Sequence, residues 1–178
     1  MHAEVLAFWF EQIDPKSWFA GSDELDLRVR QRYGGLLADA ARGECFDWRD
    51  SAHGRLAEVL LLDQFSRHVH RGTAQAFAQD GMALVLAQEA VARGCHLELQ
   101  PVQRAFLLLP FMHSESRRIH VVAEELYRLH APAENLRYEL LHKAIIDRFG
   151  RYPHRNQALG RSSSAEELEF LRQPGSSF

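Results

Sequence analysis

Lysine is almost missing from this chain, which holds 19 arginines but only 2 lysines in 178 residues. Ammonium groups attract anions diffusely, whereas guanidinium groups grip carboxylates and phosphates as planar forks. Genomic base composition also exchanges Lys for Arg, so the ratio by itself decides little. Cysteine is just as rare. Cys45 and Cys95 stand far apart and form no C-x-x-C or similar spacing, which excludes a thiolate metal site. Both are expected to be inert thiols of a reduced, cytoplasmic protein. The first residues, MHAEVLAFWFEQ, place acids inside an apolar run and carry no basic leader, so a signal peptide is not expected. The longest apolar run, residues 105–112, falls far short of the ~20 residues that span a bilayer, so no membrane partner is expected. Positive charge is not in excess either. A net charge of −3 excludes nucleic acid as a general partner, which would need a broad basic surface. No P-loop or dinucleotide glycine pattern is present, and no cofactor is expected.

What remains is an ordinary globular composition, 46% hydrophobic and 25% charged, which predicts one domain over residues 1–178. Nearly every segment repeats its apolar residues with a 3.6-residue period, and no window alternates as a strand does. The expectation is an all-α fold of about eight helices. They are predicted over residues 4–12, 23–42 (capped by Ser22 or Asp23) and 51–66. Thr73 is predicted to cap a helix over 73–93, and Pro101 to open one that kinks or breaks at Pro110. Ser114 is expected to cap a helix over 114–130, and Gly150 to close one over 133–149. Ser164 with Glu167 forms a capping box that starts a short last helix. Short links imply antiparallel neighbours.

The chemistry gathers at residues 148–161, RFGRYPHRNQALGR, with four arginines, one histidine and no acid between Asp147 and Glu166. Phe149, Tyr152, Pro153 and Leu159 are interleaved, so these arginines are expected to be held, facing a carboxylate or phosphate. Charges also continue apolar stripes elsewhere. Asp63 and Arg67 extend the stripe of Leu56, Val59 and Leu60. Glu115 precedes that of Ile119, Val122, Leu126 and Leu129, and Arg148 follows Leu141, Ala144 and Ile145. Inward charges must be paired. The expected pairs are Asp63 with Arg67 and Arg148 with Glu115, either as structural staples or as the floor of a cleft rimmed by residues 151–161.

Phe8-Trp9-Phe10, Trp18-Phe19, the run LLDQFSR at 61–67, PFMHSE at 110–115 and Arg148 through Asn156 resemble an uncharacterised, mostly bacterial family, DUF924. The match covers residues 8 to about 171. It implies a tetratricopeptide-like superhelix of stacked helix pairs and implies no activity. His68 departs from the family, which usually has Asn after the Ser-Arg pair.

Three functions follow as expectations. The first is a binding module whose groove holds a carboxylate, an acidic peptide or a phosphate-bearing metabolite. Arg67, Arg71, Arg148, Arg151, His154, Arg155 and Asn156 are the donors expected to line it. The second is a hydrolase in which Glu115 or Asp63 works with His113 or His154 as acid and base. The third is an interaction scaffold whose charge pairs are purely structural. A metal is not expected at His113-Ser114-Glu115 or His68-Val69-His70, because arginines nearby repel cations and no H-E-x-x-H spacing occurs. Ser66 and Ser114 sit on no strand-to-helix elbow, so neither is expected to be a nucleophile. Phe8, Trp9, Phe10, Trp18, Phe19 and Trp48 are spaced as core.

Overall fold

Serine, proline and glycine set the helix ends in the computed structural model, which describes residues 1–176. Ser22 Oγ accepts from the Leu25 amide and opens α2 (Asp23–Ala41). Ser51 Oγ accepts from Gly54 and opens α3 (Ala52–Leu60). Pro101 sits at the first turn of α6 (Pro101–Met112), where its missing amide hydrogen would be unpaired anyway. Gly150, at φ 71°, closes α8 (Ala133–Phe149), and the Ser164–Glu167 capping box opens α9 (Ala165–Leu171). The remaining α-helices are α1 (His2–Ala7), α4 (Ser66–Val69), α5 (Asp80–Ala92) and α7 (Arg117–His130). A π turn, Leu61–Phe65, joins α3 to α4, so the two form one rod. The described residues are all-helical, with no strand.

α3 is the axis of the fold. All its residues but His53 are buried, and it packs on α1, α5 and α6. α7 lies against both α6 and α8. Trp9, Phe65 and Leu56 are fully enclosed at the centre, with Phe8 nearly so. Gly54 makes the close packing possible, because an added Cβ would sit 2.0 Å from the Trp48 carbonyl oxygen. That neighbour is backbone and cannot swing aside. Gly54→Ala is therefore expected to destabilise the protein by about 1–3 kcal/mol in chemical denaturation. A variant as stable as wild type would mean that the α3 entrance is looser than this contact implies.

Several expectations fail, each for a physical reason. Residues 73–93 are not one helix. The chain makes a 3-10 turn, Ala74–Phe77, and restarts at Asp80, because Phe77 and Asp80 are claimed by arginines from elsewhere. Pro110 does not break α6, since only two helical residues follow it and one backbone bond is forgone. The N-cap of α7 is Ser116, not Ser114. Its buried residues are His120, Ala123 and Tyr127, while Val122 and Leu129 are exposed. On α8 the buried residues are Glu139, His142, Ile145 and Ile146, whereas Leu141, Ala144 and Arg148 face out. In both helices hydrogen-bonded polar residues occupy the interior, which shifts the apolar phase. Phe19 is 65% exposed rather than core, although its ring stacks on Phe106.

Candidate functional site

The π turn carries the first acid of the site. A wide turn of this kind is a recurrent feature of functional positions in helices. Here it holds Asp63, only 1% exposed. Asp63 Oδ1 accepts from His113 Nδ1 at 2.7 Å, Oδ2 accepts from Gln64 Nε2 at 2.6 Å, and Arg67 Nη1 stands 3.3 Å from Oδ1. Burial alone would raise this carboxyl, but the charge of Arg67 and the contact with His113 outweigh it and hold Asp63 well below the usual range. Asp63 is thus ionised and can only accept. The proton of neutral His113 must sit on Nδ1, leaving Nε2 with its lone pair. Burial, the largest cause, keeps His113 below its ordinary value.

Arg67 reaches onward to Asp80 at the start of α5, with Nη1 to Oδ1 at 2.9 Å and Nη2 to Oδ2 at 3.0 Å. Asp80 is shared. Arg155, in the 3-10 turn Pro153–Arg155, donates Nη1 to Asp80 Oδ2 at 3.1 Å. Its guanidinium lies between the rings of Phe77 and Tyr152, 4.7 and 4.6 Å from their centroids. Arg155 is 6% exposed, yet its Nε has no acceptor, and the buried Nδ1 of neighbouring His154 has no partner either. Burial first, then Arg155, His113 and Arg67, push His154 down to about 4.

Tyr152 fixes this turn. Its backbone N–H donates to Glu115 Oε1 at 2.8 Å and its hydroxyl to the Met112 carbonyl. His142 lies beside it, donating Nδ1–H to the Tyr138 carbonyl at 2.8 Å, and burial lowers it to about 3. Behind Tyr152, His120 and Glu139 form a pair with no exposure, 2.7 Å apart. Burial raises Glu139 toward its neutral form.

Of the residues singled out in the sequence, Asp63, Arg67, His113, His154 and Arg155 therefore meet in one cluster. The others do not. Arg71 donates Nη2 to Asp26 at 2.8 Å, where His68 also bonds at 2.7 Å, so the departure at His68 is a buried partner of α2. Arg148 is not paired with Glu115. It lies on the surface with Glu166 at 2.9 Å and over the Phe149 ring. Glu115 belongs to Arg161, through bonds of 2.6 and 2.9 Å. Arg151 grips Glu167 at 2.6 and 2.8 Å and so anchors α9. Asn156 joins Ser163 and Arg161 inside the turn. Phe77, Asp80 and His142 were not expected at the site, whereas Tyr152 lies in the segment expected to rim it. Phe77 and Asp80 are hidden in sequence because they read as the middle of a regular helix. Among the described residues no three His, Cys, Asp or Glu side chains converge to hold a metal, and no helix is long and apolar enough to cross a membrane.

An all-helical chain enclosing a network of Arg, Asp, His and Tyr is the class that fold and site define. The chain belongs to the family described as bacterial protein of unknown function, DUF924, whose profile matches residues 5–175. It is also similar to the solved structure of a protein of unknown function from Agrobacterium tumefaciens. The two are 35% identical over 96% of each chain, with a TM-score of 0.90. No curated protein matches it.

Proposed function

We propose that this protein is a helical binding module for an anionic ligand, a carboxylate or phosphate held by Arg67, Arg155, His154 and His113. One observation carries the reading: the nearly enclosed Arg155 leaves its Nε donor unmatched beside a histidine nitrogen in the same state. Buried polar groups are nearly always hydrogen-bonded, and exceptions call for a reason. An oxyanion supplies acceptors to both. The helix pairs would then stack as a tetratricopeptide-like superhelix with this site on one face. A cytoplasmic setting suits the two free thiols, Cys45 and Cys95.

Charge sets how such a ligand binds. Arg67 and Arg155 are matched by Asp63 and Asp80, so the resting cluster is near neutral. An arriving anion favours the charged forms of His154 and His113, which raises both and draws in protons. Binding of citrate or phosphate should therefore tighten as pH falls from 7 toward 5. The test is the melting shift given by each anion at both pH values. His154→Gln is expected to flatten the pH dependence, and Arg155→Lys to weaken binding at either pH by losing the fork. If neither anion shifts the wild-type melt at any pH, the charge pairs only staple helices and the scaffold reading stands.

A second reading is favoured by the Asp63–His113 contact. An ionised carboxylate that orients a neutral imidazole with Nε2 free is the arrangement of a general base. In that reading His113 activates water toward an ester or phosphoester whose anionic end lies on Arg155. Glu115 takes no part, since both its oxygens are engaged. His113→Gln should abolish any hydrolysis found in such a panel, while anion-induced stabilisation, which rests mainly on Arg155, should be weakened but kept.

A further inference from the structure

A second hollow, of about 190 Å³, lies between α2 and the α4 end of the central rod, away from the arginine cluster. Its wall on α2 is made of Leu37 and three small residues, Gly34, Ala38 and Ala41, and none of its ten lining residues is Asp, Glu, Lys or Arg. The polar side chains that line it are Ser66, His70, Gln75 and Gln79. Two features set it apart from an accidental dent. A serine in a helix usually returns its hydroxyl to a nearby backbone carbonyl, yet Ser66 is 1% exposed and its Oγ has no hydrogen-bond partner. Glycine also weakens a helix interior relative to alanine, yet a Cβ added at Gly34 would meet no atom within 4 Å. Packing within this chain therefore does not require the glycine, and the space in front of it stays open.

We infer that this hollow binds a small uncharged amphiphile, a single ring of about benzene size carrying one hydroxyl that pairs with Ser66. The size follows from the volume, because apolar cavities of about 150 Å³ accept benzene. Neutrality follows from the lining, which holds no Asp, Glu, Lys or Arg, so that a charged ligand would lose its hydration and meet only the His70 ring. The single polar group follows from the one orphaned hydroxyl.

The test uses the full chain with phenol, toluene and benzoate, read by thermal shift and by ligand-observed NMR. Phenol is expected to give a saturable rise in melting temperature, toluene a weaker one and benzoate none. Ser66→Ala should keep or raise the melting temperature, because it removes a buried unmatched hydroxyl, while cutting the preference for phenol over toluene about tenfold. Gly34→Leu should fill the hollow and remove the phenol shift. If leucine disrupts α2, Gly34→Ala, which is expected to raise the melting temperature, should still weaken phenol binding. The inference is overturned if phenol gives no saturable shift, if benzoate matches it, or if the Gly34 variants bind phenol as wild type does.

Discussion

Asp63→Ala is expected to cost about 3–5 kcal/mol of unfolding free energy, the range found when one partner of a buried ion pair is removed. Two groups lose their acceptor and a third its nearby charge. Arg67 keeps Asp80, but the charge balance around it shifts by one, and Gln64 and His113 are left with unmatched donors inside the core. The histidine also loses the contact that fixes its proton on Nδ1. Asp63→Asn keeps the shape and one of the two accepting oxygens without the charge, and should cost less. As a contrast, Arg148→Ala removes an ion pair whose side chains are 47% and 63% exposed, and exposed pairs contribute at most about 1 kcal/mol. Urea denaturation of the three variants orders them. An Asp63→Ala protein within about 1 kcal/mol of wild type would mean that water reaches this carboxylate freely.

The difference between Asp63 and Arg148 is also the measure of what the sequence discloses. Both continue an apolar stripe by one helical turn, and periodicity treats them alike. Periodicity works for α3 because Leu56, Ala57, Val59 and Leu60 are all fully buried, so the apolar stripe is interior along its length. It fails on α7 and α8, where the interior is taken by His120, Tyr127 and Glu139, each hydrogen-bonded to another element, and by His142, bonded to the Tyr138 carbonyl of its own helix. A hydrogen bond between elements makes a polar residue suited to burial, and nothing local announces it. Helix ends were better disclosed, because caps are local chemistry: Ser22, Ser51, Gly150 and the Ser164–Glu167 box all act where their spacing suggests. The arginine-rich segment was visible as a held cluster, but its partners were not. Glu167 takes Arg151 and Asp80 takes Arg155 across the fold, pairings of distant residues that spacing along the chain does not encode.

Those buried histidines make acid the second large lever on the molecule. His142 is lowered to about 3 and His154 to about 4, both chiefly by burial, from an ordinary value of 6.5. A histidine lowered on folding stays neutral in the native state while the unfolded chain takes up its proton. Its contribution is therefore full above pH 6.5 and is lost as pH falls from there toward the folded value. Each such group gives a slope of up to about 1.4 kcal/mol per pH unit, so the two together should cost about 4–5 kcal/mol between pH 6.5 and 4.5. His113 and His68 are lowered too and act with the same sign. Glu139 opposes them. Raised by burial, it takes up its proton in the folded state first, and so favours the native form as pH falls through that window. The carboxylates held low by arginines, Asp63, Asp26 and Glu115, add their loss only further down, below their ordinary range near pH 4. Loss of stability should thus set in around pH 6, well before carboxylates alone would cause it. His142→Asn, which retains a donor toward the Tyr138 carbonyl but no titrating ring, should remove about half of the slope between pH 6.5 and 4.5. Stability that stays level from pH 7 to 5 would show that these imidazoles gain their protons without leaving the fold, through a solvent path into the cluster.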